Sequence, residues 1–216
     1  MYVKTRMTTN PYTVSPDTSV VEAYELLRKH KIRRLPVLAK GKLIGIVTDR
    51  ELQRVTPSTA TSLSIFEVNY LLSKTKVKDA MTKGPLVTVN ENALLEEAAV
   101  LMRENKIGAL PVVDENNKLV GIITETNIFD AFTDLMGMRE RGTRITVEAE
   151  DAPGRLSDVA KIISSFGVNI SRIAVYSGSG STSSIVIRIN SLNTEEIEKA
   201  LETNGYKIVH ILKNQS

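Results

Sequence analysis

Leu35 to Leu52 reads L-P-V-L-A-K-G-K-L-I-G-I-V-T-D-R-E-L, and Leu110 to Ile128 reads L-P-V-V-D-E-N-N-K-L-V-G-I-I-T-E-T-N-I. A chain that states one phrase twice must fold it twice, so this repeat constrains the architecture more than any other feature. In each copy a short apolar run carrying Pro-Val leads to a polar turn, then to a β-branched run around a Gly, then to a Thr at the head of a helical pattern. That order reads as strand, hairpin turn, strand, helix. Thr13, Ala23, Ile32 and Pro36 recur as Thr88, Ala98, Ile107 and Pro111 at one constant spacing, and an extra turn residue then carries Gly45 to Gly121 and Thr48 to Thr124. Two copies in register imply a pseudo-symmetric pair rather than a solenoid.

A helical pattern precedes each strand pair. Ser19-x-x-Glu22 fits a capping box before a helix to about Lys29, with Val20, Ala23, Leu26 and Leu27 on its apolar side. In copy two, Asn92 is the expected cap of a helix over 93–104. Pro11 to Val14 and Leu86 to Val89 read as short strands, and Val3 to Met7 as the start of copy one. Between the copies, a Thr/Ser/Pro-rich break is followed by Leu63, Phe66 and Tyr70 at helical spacing, which predicts a crossover helix over 62–73. The tail follows a different plan. Thr143 to Glu150 alternates as a strand, Asp151 to Gly154 turns, and a helix follows with Leu156, Val159, Ile162 and Ile163 inward, stopped by Gly167. Strands over 169–176 and 183–189 flank a Gly/Ser loop; a helix capped by Asn193 and closed by Gly205 leads to a last strand ending at Leu212. The order β-α-β-β-α-β is the ferredoxin-like plan. The expected fold class is therefore mixed α/β (α+β): a repeat pair over 1–136 (copy one 1–61, copy two 74–136), a linker over 137–142, and a tail domain over 143–216.

With 216 residues and 42% hydrophobic content, the chain has material for two small cores. Aromatics are 5% and Trp is absent, so those cores must be aliphatic. Lys+Arg 28 against Asp+Glu 25 leaves +3, and the basic residues are interspersed with acids, which argues against a nucleic-acid partner. Zero Cys excludes a disulfide framework, a thiolate metal site and a Cys nucleophile, and fits a reducing compartment. No apolar signal core or bilayer-spanning run is found, so a cytoplasmic protein without a membrane partner is expected. His30 and His210 are too few for a His-rich metal site, and His30 is expected to meet the last carbonyls of its helix. There is no G-x-S-x-G, no G-x-x-x-x-G-K-[ST] and no helix-opening G-x-G-x-x-G. No catalytic residue and no metal ligand is assigned.

Met7-Thr8 and Met81-Thr82, with Pro11-x-x-Val14, L-P-V-[LV] and G-I-[VI]-T, resemble the tandem CBS-domain pair, over roughly Val3 to Phe132. Asp151-Ala152-Pro153-Gly154-Arg155-Leu156 and Gly167-Val168-Asn169-Ile170 resemble the ACT domain, over Thr143 to Leu212. In this order and at this length the chain resembles the acetoin-utilisation family. The resemblance implies a ligand-sensing regulator and no enzyme. It implies an adenosine nucleotide (AMP, ADP or ATP) between the CBS copies, no catalytic cofactor, and a small metabolite or amino acid at the ACT domain. It also implies a homodimer, a regulated partner protein that the sequence does not identify, and acetoin catabolism as the controlled process.

Residue by residue, the resemblance places ribose contacts at Thr48 and Glu51 in copy one and at Thr124 and Asn127 in copy two, where the family commonly has Thr with Asp three positions on. Glu51 keeps a carboxylate for a cis-diol, whereas the Asn127 amide is a mixed partner. Thr48-x-x-Glu51 is equally a plain capping box, and Thr124 can cap its helix without any ligand. Arg33 stands where related pairs put a phosphate-facing cation, with a solvated surface charge as the alternative. Copy two has Gly108 there, so the two phosphate sites cannot be equivalent. Pro36 and Pro111 are expected at a sheet edge or strand start, with neighbouring backbone groups free for a base edge, or as rigid turns. Leu35, Val37, Leu110, Val112, Thr13, Thr88 and Asp49 complete the implied nucleotide set. In the tail, Pro153-Gly154 offers backbone N–H groups at a helix start, suited to a carboxylate. The ACT resemblance adds Asp151, Asn169 and Ile170, while an N-cap at Asp151 and a tight turn at Gly154 account for the same residues. The competing reading of the whole chain is a structural assembly module with vestigial sites.

Overall fold

The computed structural model describes residues 1–55, 74–82, 84–178 and 180–215; the expected crossover helix over 62–73 lies outside them. The chain divides into two compact units, Met1–Ile128 and Phe129–Ser216.

The first unit opens with one 3₁₀ turn (Val3–Thr5) and strand β1 (Thr8–Thr9). Helix α1 (Val20–His30) is capped reciprocally: Ser19 Oγ accepts from the Glu22 N–H at 3.2 Å, and the Glu22 carboxylate accepts from the Ser19 N–H at 3.0 Å. Hairpin β2 (Arg34–Ala39) and β3 (Lys42–Thr48) turns through Lys40-Gly41, both at positive φ as a two-residue hairpin of this hand requires. Helix α2 (Asp49–Arg54) follows behind the Thr48/Glu51 capping box. Copy two supplies α3 (Val77–Ala80), β4 (Val89–Asn90), α4 (Leu95–Asn105), β5 (Ala109–Val113), β6 (Leu119–Thr124) and α5 (Glu125–Leu135), which runs on past Ile128. The extra turn residue of copy two falls where Asp114 Oδ1 accepts from the N–H groups of Asn116 and Lys118, both at 2.9 Å.

Asn92 does not cap α4. The N-cap is Leu94, at the repeat position of Ser19, and it makes no side-chain bond; the Asn92 N–H folds back onto Asn90 Oδ1 at 2.9 Å. The helix starts in the register of the repeat and not at the nearest polar residue. Leu94→Ser, which would face Glu97 as Ser19 faces Glu22, is therefore expected to add roughly 1 kcal/mol and to raise the unfolding midpoint by about 2–4 °C. A midpoint that stays put or falls would show that the apolar side chain at 94 matters more than the missing cap.

Each copy's opening segment is laid on the other copy. β1 pairs antiparallel with β6, Thr8 opposite Ile122 and Thr9 opposite Gly121, and the Val3 and Lys4 N–H groups donate to Ala93 and Glu91 at 3.0 and 2.9 Å. Reciprocally, the Thr82 N–H donates to Ile46 at 3.0 Å, and Val77 and Lys78 donate to Thr18 and Pro16, both at 2.9 Å. The Lys78 ammonium, 2.8 Å from Asp17, holds that carboxyl below the usual carboxylate range. Val3 to Met7, at the start of copy one, is thus packed onto copy two.

The sheet order β1-β6-β5-β4 makes β5 an interior strand, so Pro111, its third residue, is not at an edge. β4 is two residues long and pairs with Val112 and Val113 only, so no ladder acceptor faces the missing N–H. Pro36 is likewise flanked on both sides, by β3 and by Val14. Its carbonyl accepts the Val14 N–H at 3.1 Å and is not free for a base edge. The core of copy one is aliphatic, built from Val14, Val20, Ala23, Leu27, Leu35, Val37, Val47, Leu52 and Val77.

The second unit is β7 (Gly142–Glu150), α6 (Arg155–Ser165), β8 (Ile170–Ser177), β9 (Thr182–Ile189), α7 (Glu195–Thr203) and β10 (Lys207–Asn214), with strand order β10-β7-β9-β8. Ile145, Val147, Ile185, Ile187 and Ile189 pack under Val159, Ile163, Ile197 and Leu201. Leu156 departs from its expected inward place and is 41% exposed. The N-cap of α6 is Gly154 at φ 91, not Asp151, and that of α7 is Thr194, not Asn193. In both cases the helix begins later than the polar residue expected to cap it.

Candidate functional site

The exchange of opening segments builds a cleft of about 680 Å³ in the first unit. Copy one contributes Thr8 to Tyr12 and the run Lys31-Ile32-Arg33-Arg34; copy two contributes Gly108, Ile122 and the start of α5, Thr124 to Asn127. Of the expected nucleotide set, Arg33, Thr124 and Asn127 meet here. Arg33 thus belongs with copy two's Thr124, across the pair from its own copy's Thr48.

Asn127 Oδ1 accepts from the Thr124 N–H at 2.9 Å and its hydroxyl at 2.7 Å, which fixes both side chains at the helix start. Its Nδ2 makes no hydrogen bond among the described residues and remains a donor for the cleft. The equivalent Glu51 is more heavily engaged: one oxygen accepts from the Thr48 N–H and hydroxyl at 2.8 and 2.9 Å, the other from the Thr82 hydroxyl at 2.7 Å. Capping and the opening segment of copy two occupy both oxygens of the carboxylate expected to hold a ribose, leaving one acceptor position on Oε1.

Lys31, Arg33 and Arg34 face Glu125 as the one carboxylate of the lining, so the cleft carries net positive charge. A Cβ at Gly108 would stand 2.5 Å from Arg34 Nη2 and 2.8 Å from Glu125 Oε2. The position equivalent to Arg33 is therefore empty of side chain because Arg34 and Glu125 close over it. Tyr12, 49% exposed, stacks on His30 with ring centroids 3.7 Å apart. His30 does not meet the helix carbonyls as expected; the N–H of Lys31, in the left-handed region, does so instead.

The remaining expected residues lie elsewhere. Leu35, Val37, Leu110 and Val112 are fully buried core. Thr13 lines a separate pocket of about 410 Å³ with Glu22, Leu26 and Leu38. Asp49 accepts from the Arg50 N–H at 2.9 Å, and Thr88 is half-buried before β4. In the second unit, Asp151, Pro153 and Gly154 stand before α6, while Asn169 and Ile170 come after it. An 11-residue helix separates the two groups by roughly 16 Å, so one chain does not bring them together. Thr8 to Tyr12, Lys31, Arg34 and Glu125 were missed by sequence reasoning; the one available signal was the run K-I-R-R between helix and strand. Among the described residues no group of three His, Asp or Glu could hold a metal ion, and no helix is long and apolar enough to cross a membrane.

The CBS domain model matches residues 3–57 and 77–134, and the ACT domain model matches 143–205. The chain belongs to the CBS-domain family. It carries tandem CBS domains followed by an ACT domain. The CBS domain-containing protein YhcV of Bacillus subtilis is 34% identical, over 67% of this chain and 92% of its own length. Inosine-5'-monophosphate dehydrogenase of Aquifex aeolicus is 38% identical over 56% of this chain, which spans only 22% of that enzyme. Among solved structures, CBSX2 of Arabidopsis thaliana in complex with AMP is 37% identical with a TM-score of 0.50, over 62% of this chain and 96% of that one. The CBS pair of MJ0100, in complex with 5-methylthioadenosine and S-adenosyl-L-methionine, is 28% identical with a TM-score of 0.51, over 62% and 97%. A structure described as a putative acetoin utilization protein (AcuB), from Vibrio cholerae, is 30% identical with a TM-score of 0.53, over 65% and 96%.

Proposed function

We propose that this chain is a non-catalytic regulatory protein that binds one adenosine-containing ligand in the cleft between its CBS copies. The observation that carries the reading is the convergence of Thr124, the unengaged Asn127 amide and the cations Lys31, Arg33 and Arg34 on one cleft. Thr124 and Asn127 would hold the ribose, the three cations the phosphates or a carboxylate, and Ile32, Ile122 and Tyr12 the base. AMP in CBSX2 and S-adenosyl-L-methionine in the MJ0100 pair support an adenosine ligand. The engaged Glu51 favours the copy-two side over the Thr48 side.

In this reading, ligand binding shifts the balance between two arrangements of the CBS copies and so the activity of a partner protein. The likeness to the Vibrio cholerae protein supports acetoin utilisation as the process served. The ACT domain would sense a small metabolite or amino acid. The separation of Asp151 and Gly154 from Asn169 along α6 favours a site completed by a second copy, in a cytoplasmic homodimer.

Calorimetric titration with AMP, ADP, ATP and S-adenosylmethionine tests the reading. Thr124→Ala is expected to weaken binding about tenfold through loss of a hydroxyl contact and of the Asn127 clamp, and Thr48→Ala to leave it near wild type. Loss of binding with Thr48→Ala alone would move the site to copy one. No heat with any of the four ligands would leave the assembly module as the better account.

A further inference from the structure

Side chains alternate along a strand, so the sheet of the second unit has one face under its helices and a second face opposite. On that second face, Arg144 of β7 stands directly opposite Arg188 of β9, and Arg188 opposite Arg172 of β8. Three arginines therefore form one row across three neighbouring strands. Like charges directly opposite one another destabilise a sheet. Arg188 is only 2% exposed, and the Nε atoms of both Arg188 and Arg144 are buried without a hydrogen-bond partner among the described residues. Among the described residues, Glu140 sets a carboxylate on the row, its Oε1 2.6 Å from Arg172 Nη2. The Glu140 carbonyl accepts from Arg188 Nη2 and, at 3.0 Å, from Asn214 Nδ2. Gly137 at φ +63 permits this approach, since a Cβ there would stand 2.7 Å from Arg188 Cδ. Beside Arg188 opens a pocket of about 430 Å³ lined by Met138, Arg139, Arg188, Leu212, Lys213 and Asn214, a lining with three cations and no carboxylate. Arg139 and Lys213 have only exposed partners, Asp130 at 3.3 Å and Glu195 at 3.2 Å.

We propose that this face of the ACT domain is an anion site. It takes a small organic anion with two or more oxyanion groups, carboxylate or phosphate, held by the positive charge of the row and by charge-assisted hydrogen bonds from Arg172, once Glu140 is displaced, and from Arg139. Glu140 is its built-in competitor: the carboxylate on Arg172 occupies part of the row, and a ligand that displaces it releases the segment joining α5 to β7. The site shares no residue with the cleft of the first unit or with Asp151, Gly154 and Asn169.

The test is titration of the full chain, in low-salt chloride buffer, with sodium pyrophosphate and separately with citrate. Saturation near one equivalent is expected with at least one probe; binding of pyrophosphate alone assigns a phosphorylated ligand and of citrate alone a polycarboxylate. Arg172→Gln, at a side chain 40% exposed whose replacement spares the packed interior, is expected to weaken binding about tenfold. Glu140→Gln is expected to tighten it, because the competitor is gone while the backbone contacts of residue 140 persist. Saturation with neither probe overturns the site, and so does equal affinity in wild type, Arg172→Gln and Glu140→Gln. Heat abolished by Arg33→Ala would belong to the first unit's cleft and overturns it too.

Discussion

Gly121→Val is expected to lower the unfolding midpoint by about 2–12 °C and to weaken ligand binding at the cleft about tenfold. A Cβ at residue 121 would meet Met7 Sδ at 2.4 Å, Met7 Cγ at 3.1 Å and the Thr8 carbonyl at 3.0 Å. The methionine can swing aside. The carbonyl cannot, because Thr8 is paired to Ile122 and Thr9 to Gly121 itself. Overpacking of this kind costs about 1–3 kcal/mol, and each kcal/mol is worth about 2–4 °C in a chain of this size. If β1 lifts from β6 to relieve the clash, Thr8 to Tyr12 leave the cleft wall, and a displacement worth about 1.4 kcal/mol is tenfold in affinity. Gly45, the repeat equivalent, supplies the comparison. Its Cβ would meet Met81 Sδ at 2.7 Å and the Thr82 carbonyl at a looser 3.3 Å. Gly45→Val should therefore destabilise less and leave binding at the Thr124 cleft close to wild type. Wild-type affinity and midpoint in Gly121→Val would show that the docking of β1 does not build the cleft.

Much of this was legible in the chain because it was local. Ser19-x-x-Glu22 and Thr48-x-x-Glu51 close their capping boxes within four residues, Lys40-Gly41 turns its hairpin alone, and the second unit's alternating strands and amphipathic helices give β-α-β-β-α-β from periodicity. What stayed hidden depends on pairing at a distance. Residues 1–9 carry no periodic signal that says they lie on copy two, so neither the place of Thr8 to Tyr12 in the cleft nor the company of Arg33 with Thr124 could be read from the sequence. Asn92 attracted the cap because polar residues mark helix starts, yet the repeat position of Ser19 is Leu94. Pro111 pointed to an edge, since a missing donor is harmless there; it is equally harmless beside a two-residue strand. Arg144, Arg172 and Arg188 each stand before an isoleucine in a strand pattern and read singly as a solvated face. Only the register of three strands brings them into one row.

The largest effect on the cleft is expected from Arg33→Glu, and its dependence on ligand charge makes it decisive. Arg33 is exposed at the cleft wall, without an ion pair or side-chain hydrogen bond among the described residues. Its replacement by Ala would therefore leave the fold unchanged and remove one cation. Reversal does more: it deletes an attraction to a ligand phosphate and installs a repulsion. Two unit charges 4 Å apart interact by about 1 kcal/mol in bulk water and about 4 kcal/mol at the effective dielectric of a protein surface. The two changes together then come to about 3 kcal/mol for a phosphate near Arg33, or about a hundredfold in Kd. Adenosine, which carries no phosphate, should bind wild type and Arg33→Glu nearly alike, and the penalty should grow from AMP to ATP. It should also shrink as ionic strength rises, since the Debye length falls from about 10 Å at 0.1 M salt to about 3 Å at 1 M. Equal losses for adenosine and ATP would mean that the substitution deformed the cleft rather than its field. No loss for ATP would remove Arg33 from the phosphate side and leave Lys31 and Arg34 as the cations to test, since they stand on the same wall.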